Sequence, residues 1–219
     1  MFRYLVLCAL ACVSLSAVNS EPALAQVRAR DGIGFDVYIE QLKARAREEG
    51  VAEATLKRMT AGLTPNPRVI RLDQGQPGRP TRRGYPELAP YIAKHVNRTR
   101  IAGGRAVYRE DMNALLKAEL DTGVPSSIIV AIFGHETSYG RIKGGFDLSR
   151  SLATLAWEGR RRELFAGEWI ALMKVAEKGF SRDQLVGSYA GAFGNPQFLP
   201  SVYLRLASDG DGDGRANIF

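Results

Sequence analysis

Apolar residues in this chain return every three or four positions. Nowhere do they alternate convincingly with polar ones over the length of a strand, so the pattern restricts the chain to packed helices. Phe35, Tyr38, Ile39, Leu42 and Ala46 share one helical face, and Gly50 ends that helix. A shorter helix through Ala54, Leu56 and Met59 runs into Gly62 and Thr64-Pro65-Asn66-Pro67, where proline cannot continue it. Tyr108, Met112, Leu115 and Leu116 share another face. Asp121 to Pro125 then breaks the pattern, with Pro125 placed to open the next helix. Phe165, Trp169, Leu172, Met173 and Ala176 mark one more, and Ser181 with Gln184 fits a capping box for a helix after it. The expected class is mostly α, with little or no sheet.

The N-terminus reads as an export signal over residues 1–25. A basic Met1-Phe2-Arg3 precedes an uncharged apolar run from Tyr4 to Val18, and Ala23-Leu24-Ala25 offers small residues for cleavage before Gln26. The apolar run is shorter than the roughly 20 residues a membrane helix needs. Lipidation at Cys12 is the weaker alternative, because Ala9-Leu10-Ala11 is a poor context for it. Cys8 and Cys12 are the only cysteines, so residues 26–219 contain neither a disulfide nor a thiol site and must fold as one domain around a hydrophobic core. Asp73 to Pro86, rich in glycine and proline and carrying Arg79, Arg82 and Arg83, reads as a surface loop. The net charge of +7 attracts polyanions. For an exported chain these are wall polymers or membrane surfaces, loosely held, rather than nucleic acid; a charge serving only solubility is the competing reading. Oligomeric state is not legible.

The segment from Pro125 to Arg141, PSSIIVAIFGHETSYGR, carries the chemistry. Ile128 to Phe133 is apolar all round, which predicts a buried helix. Glu136 stands at its end and shares a face with Ile132 and Phe133. Such a setting favours the protonated carboxylic acid, the form that can donate to a glycosidic oxygen. The competing reading pairs Glu136 with Arg141 or Arg150. A zinc site is not expected, because Tyr139 stands where the second histidine of a zinc protease would be and His95 is distant in sequence. No second carboxylate sits in a comparably apolar motif: Glu158, Glu163 and Glu168 read as exposed.

A second segment, Gly187 to Ser201, mixes small residues with aromatics. Tyr189, Phe193 and Phe198 offer flat faces to sugar rings, and Ser188, Asn195 and Gln197 offer hydrogen bonds to their substituents. A tightly packed corner fits the pattern equally well. The third segment, Asp209-Gly210-Asp211-Gly212-Asp213-Gly214-Arg215-Ala216-Asn217, opens like a calcium loop. Asp209, Asp211 and Asp213, the Arg215 carbonyl and Asn217 are its candidate ligands; an Asp/Gly turn without metal is the alternative.

GVPSSIIVAIFGHETSYGR, SLATLAW, GSYAGAFGNPQFLPSVY and DGDGDGRANIF, in that order, resemble the membrane-bound lytic transglycosylase B family of murein lytic transglycosylases. The resemblance implies a lysozyme-like helical domain. It also implies a non-hydrolytic cut of the MurNAc–GlcNAc bond by one catalytic glutamate, Glu136, leaving a 1,6-anhydro end. It places Ser188 and Gln197 at substrate-contacting positions. Tyr139, Phe193 and Phe198 join them as expected glycan contacts, Phe193 standing where many members carry methionine. The chemistry needs no cofactor, and some members bind calcium at the acidic loop. Phe219 falls before the acidic residue that closes such a loop, and family members continue with further helices. A catalytically impaired relative that only binds wall glycan is the alternative reading.

Overall fold

The computed structural model describes Ala29, residues 31–76 and residues 87–219. The proposed export signal and most of the glycine- and proline-rich loop, including its three arginines, lie outside these residues. Among the described residues ten helices dominate: α1 (Phe35–Glu48), α2 (Glu53–Thr60), α3 (Pro67–Gln74), α4 (Leu88–His95), α5 (Arg98–Glu110), α6 (Met112–Thr122), α7 (Ser126–Thr137), α8 (Leu148–Glu158), α9 (Arg162–Glu177) and α10 (Pro200–Leu206). The sheet among these residues is one antiparallel pair, β1 (Phe146–Asp147) against β2 (Val186–Gly187), with Phe146 opposite Gly187.

The core forms around α8 and α9. Helices α1 and α2 pack against both, α3 against α8 and α10 against α9. The predicted faces of α1 and α9 are all buried, as are Leu56 and Met59 of α2. A second layer, α5, α6 and α7, packs mainly on itself.

Four local expectations change. Pro67 begins a helix as well as stopping one: Asn66 Oδ1 accepts from the N–H groups of Arg68 at 3.1 Å and Val69 at 3.4 Å, and proline suits the first helical turn. Helix α3 therefore takes Asp73 and Gln74 from the expected loop. The stripe from Tyr108 to Leu116 spans two helices divided at Asp111, and only Leu115 of its members is buried. The Ser181 capping box forms, with Ser181 N–H donating to Gln184 Oε1 at 2.9 Å, but no helix follows. The chain turns instead into β2, whose pairing with β1 takes the backbone groups a helix would need.

The fourth change concerns the buried helix. It is α8, where every residue except Arg150 is buried. The apolar run of α7 leaves Ile128 49% and Ile132 54% exposed. Helix α8 tolerates burial because most of its polar groups find partners. Ser149 Oγ donates to the Met59 carbonyl at 2.8 Å, and Thr154 Oγ1 donates to the Arg150 carbonyl at 2.7 Å and accepts from Asn66 N–H at 3.0 Å. Helix α7 packs on α5 and α6, meets the second segment through Thr137, and leaves Ile128 and Ile132 on an exposed face.

Candidate active site

Glu136 lies in the last turn of α7 with its side chain exposed. That corrects the expected apolar enclosure, and the cause is the uncovered face of α7. The competing salt bridge is absent as well. Arg141 Nε donates to the Ser138 carbonyl at 3.0 Å, and Arg150 is taken up by the Thr64 carbonyl and hydroxyl and the Pro65 carbonyl. Among the described residues none holds the Glu136 carboxylate by a hydrogen bond or ion pair. Two concavities are lined in part by residues near it in the chain, though not by Glu136 itself. One, of about 390 Å³, is lined by Ile129, Ile132, Phe133, Asn195 and Pro196 among others. The other, of about 510 Å³, runs along Asn66, Arg68, Gly145, Phe146, Asp147 and Arg150, with the Arg68 guanidinium 5.1 Å above the Phe146 ring.

The end of α7 is sharply shaped. Ser138, Tyr139 and Gly140 all take positive φ, at 50°, 61° and 76°. For the two non-glycine residues this costs about 1–2 kcal/mol each. Tyr139 N–H reaches back to the Phe133 carbonyl at 3.4 Å, and Thr137 Oγ1 accepts from Gly140 N–H at 3.0 Å. Thr137 Oγ1 also donates to the Asn195 carbonyl at 3.2 Å, joining α7 to the second segment. Two further ties reinforce that junction. Gln197 Nε2 donates to the carbonyls of Gly194 at 3.0 Å and Lys143 at 3.4 Å. A Cβ on Gly144 would sit 2.2 Å from the Gly187 carbonyl oxygen, so only glycine allows this approach. Thr137, Asn195 and Gly144 thus hold the site, and the compact Glu-Thr pair and the run of glycines were their only sequence signals.

The expected glycan contacts divide. Phe193 is fully buried between Tyr203 and Phe219, with ring centroids 5.8 and 6.0 Å away, and its backbone bridges Phe198; it belongs to the core and presents no face to a sugar. Tyr139 is turned into the α5–α7 seam, where its hydroxyl donates to the Arg100 carbonyl at 2.7 Å. Ser188, Gln197 and Phe198 remain half-exposed, although Ser188 Oγ already accepts from Ala192 N–H at 3.0 Å. Tyr189 is half-exposed, accepts a short hydrogen bond from Gln76 and meets Phe146 edge-on. The other acids differ from expectation too. Glu163 is exposed, but Glu158 and Glu168 are 5% and 6% exposed. Glu168 accepts from Ser201 N–H at 2.9 Å and its hydroxyl at 2.6 Å, capping α10, and Glu158 accepts from Arg160 N–H at 2.9 Å. Nor is His95 isolated: its ring stacks on Tyr91 and lies 5.2 Å from that of His135. No histidine joins a three-residue ligand group among the described residues.

A family profile described as the transglycosylase SLT domain matches residues 34–219, which include Glu136 and every loop just described. The chain belongs to the transglycosylase SLT domain family. Membrane-bound lytic murein transglycosylase B of Escherichia coli is 35% identical over 164 residues, covering 69% of this chain and 44% of that protein. SltB3 from Pseudomonas aeruginosa, crystallised with NAG-NAM-pentapeptide, superposes with a TM-score of 0.79 at 31% identity, over 86% of this chain and 49% of that one. The E. coli lytic transglycosylase SLT35 in complex with calcium superposes at 0.70 with 28% identity, over 90% and 62%. The chain spans about half the length of the first two relatives. The expected mostly helical, lysozyme-like class therefore holds.

This transglycosylase SLT domain carries its acidic loop just after α10. Ligand atoms of Asp209, Asp211 and Asp213 lie within 4.8 Å of one another. Asp209 accepts backbone N–H groups from Gly214 at 2.8 Å and Gly212 at 2.7 Å, which hold its carboxyl below the usual carboxylate range. The Arg215 carbonyl accepts from Asn217 N–H at 3.0 Å. The chain leaving the loop returns to the second segment: Tyr203 Oη donates to the Ala216 carbonyl at 2.8 Å, and Asn195 N–H to the Ile218 carbonyl at 2.6 Å.

Proposed function

We propose that this chain cleaves peptidoglycan glycan strands between N-acetylmuramic acid and N-acetylglucosamine without water, with Glu136 as acid and then base. The supporting observation is the placement of Glu136. It stands in the last turn of α7 in the matched region, is exposed, and is unpaired among the described residues, and Ile129, Ile132 and Phe133 of the same helix line a concavity. The Glu136 carboxylic acid gives its proton to the bridging oxygen as the bond from muramic acid C1 breaks. The muramic acetamido group stabilises the positive charge at C1. The Glu136 carboxylate then takes the proton of that sugar's C6 hydroxyl as its oxygen bonds to C1. The product ends in 1,6-anhydromuramic acid, and the acid is restored with no water consumed. One carboxyl group suffices, whereas a two-carboxylate hydrolase needs a partner at a set separation. A sugar seated over Ile132 and Phe133 excludes water from the site, the condition under which this exposed acid works.

Ser188, Gln197, Phe198 and Tyr189 are the proposed glycan contacts. The chain is proposed to act outside the cytoplasm after removal of residues 1–25. No helix among the described residues is long and apolar enough to cross a membrane. The Asp209–Asn217 loop fits calcium: carboxylate oxygens within 4.8 Å suit an ion that takes oxygens at 2.3–2.6 Å. Asp209, Asp211 and Asp213 would hold it, and Arg215 and Asn217 lie beside them in the loop; the ion would brace the loop and take no part in bond cleavage.

Incubating the chain with isolated sacculi tests the activity. Release of anhydromuropeptides that Glu136→Gln abolishes is expected. Release undiminished in that variant refutes the assignment, and sacculus binding without soluble product supports the glycan-binding alternative.

A further inference from the structure

We propose that Tyr139 is a positioning residue for Glu136, anchoring the end of α7 to α5 from a socket of three glycines; this rests on the activity proposed above. The socket consists of Gly103 and Gly104 on α5 and Gly134 on α7. A Cβ on Gly103 would lie 2.7 Å from Tyr139 Cε2, one on Gly104 2.7 Å from its Oη, and one on Gly134 2.5 Å from both Cζ and Oη. No larger residue fits at any of the three while the ring stays in place. Two adjacent glycines inside a helix weaken it, so their presence in α5 needs a local cause, and the Tyr139 ring supplies one.

The anchor acts close to the acid from both directions. Gly134, which the ring touches, precedes Glu136 by two residues, and Tyr139 follows it by three. At the bottom of the socket the hydroxyl donates to the Arg100 carbonyl at 2.7 Å, and the Phe133 ring meets the tyrosine edge-on at 5.8 Å. The positive φ at Ser138 and Tyr139 bends the chain back so that the ring enters the seam. With the ring fixed there, the last turn of α7 has one orientation against α5, and Glu136 inherits it. Among the described residues nothing else grips the Glu136 side chain, so its aim depends on its backbone.

The geometry makes a compensation test available. Gly104→Ala places its Cβ against Oη but 3.4 Å from Cζ, an ordinary contact. Tyr139→Phe removes the atom it strikes. Steady-state kinetics on soluble glycan strands should then show Tyr139→Phe lowering kcat about fivefold at unchanged KM, the effect of one lost hydrogen bond. Tyr139→Ala should lower kcat about a hundredfold, the scale of a misplacement near 1 Å. Gly104→Ala alone should be worse than Tyr139→Phe, and the double variant should recover to the level of Tyr139→Phe. Hydrogen exchange reads the same anchor without turnover: Tyr139→Ala should speed exchange across residues 133–138 and leave α8 and α9 unchanged. Equal kcat in all variants, additive losses in the double variant, or unchanged exchange at the end of α7 each overturn the proposal. An inactive parent chain, or full activity in Glu136→Gln, refutes the activity assignment instead, and the exchange result still decides the anchor.

Discussion

Asp73→Asn should destabilise the chain by roughly 2–3 kcal/mol near neutral pH, with a defined dependence on acid. Asp73 closes α3 with its side chain 2% exposed. Arg160 Nε donates to Oδ2 at 2.5 Å, Arg160 Nη2 makes a short contact with Oδ1, and Arg161 Nη2 donates to Oδ1 at 2.8 Å. Removing one partner of a fully buried pair costs about 3–5 kcal/mol. The Arg160 and Arg161 side chains are 32% and 38% exposed, so water takes up part of the released charge and the smaller figure applies. For a chain of 219 residues, that shifts the melting temperature by about 4–12 °C. Burial raises the Asp73 carboxyl, but hydrogen bonds and charge from the two guanidiniums outweigh it and leave it below its ordinary value. A depressed carboxyl contributes stability that is fully present above the unfolded value of about 3.9 and is lost as pH falls through the folded one. Thermal unfolding followed by circular dichroism from pH 7 down to pH 3 should therefore show the gap between the two proteins narrowing in acid. A melting temperature unchanged at pH 7, or a gap that widens in acid, refutes the reasoning.

Glu168→Ala should cost about 1–2 kcal/mol in urea unfolding, because it removes the cap on the Ser201 N–H and hydroxyl at the start of α10, while exposed Ser201 lets water take up part of the loss. Leu152→Ala should cost about 2–5 kcal/mol, whereas Ile128→Lys should move the melting temperature by less than about 2 °C, since the first side chain is fully buried and the second about half exposed. Gly144→Ala should destabilise the fold and lower glycan-strand cleavage together, because its Cβ meets the Gly187 carbonyl at positive φ; retained stability and activity would show that the two loops yield. Millimolar calcium should raise the melting temperature, and Asp211→Asn with Asp213→Asn should remove that rise; an unchanged melting temperature argues against the metal.

Much of the fold was legible because burial and helical period coincide along α1, α2 and α9, where every predicted core residue but Ala54 is buried. The pattern failed where neighbours, rather than composition, decide burial. The run Ile128–Phe133 of α7 is apolar on all sides yet leaves Ile128 and Ile132 exposed, while α8 carries serines, threonine and glutamate into the interior because other chain segments satisfy most of them. Local signals were likewise overridden: the Ser181 box capped a turn and Pro67 opened a helix. In the candidate site, the motif singled out Glu136, which the structure leaves exposed in the last turn of α7. The roles of its neighbours were not legible. An aromatic that faces sugar and one that fills a socket look alike in sequence, and Phe193 and Tyr139 proved to be of the second kind. The junction between α7 and the second segment rests on backbone carbonyls of Asn195, Lys143 and Gly187, which no side-chain pattern announces.

The acidic loop is fastened at both ends to the same small region. Helix α10 enters it from Pro200, and Ala216 and Ile218 leave it to bond Tyr203 and Asn195. A Cβ on Gly194 would strike Ile218 at 2.6 Å, so there is no slack at the exit. Inserting or deleting a residue between Asp209 and Asn217 therefore strains two anchor points instead of flapping freely. Asn195 carries that strain one bond further, to Thr137 beside Glu136, so the loop's length is a dimension of the proposed site as well.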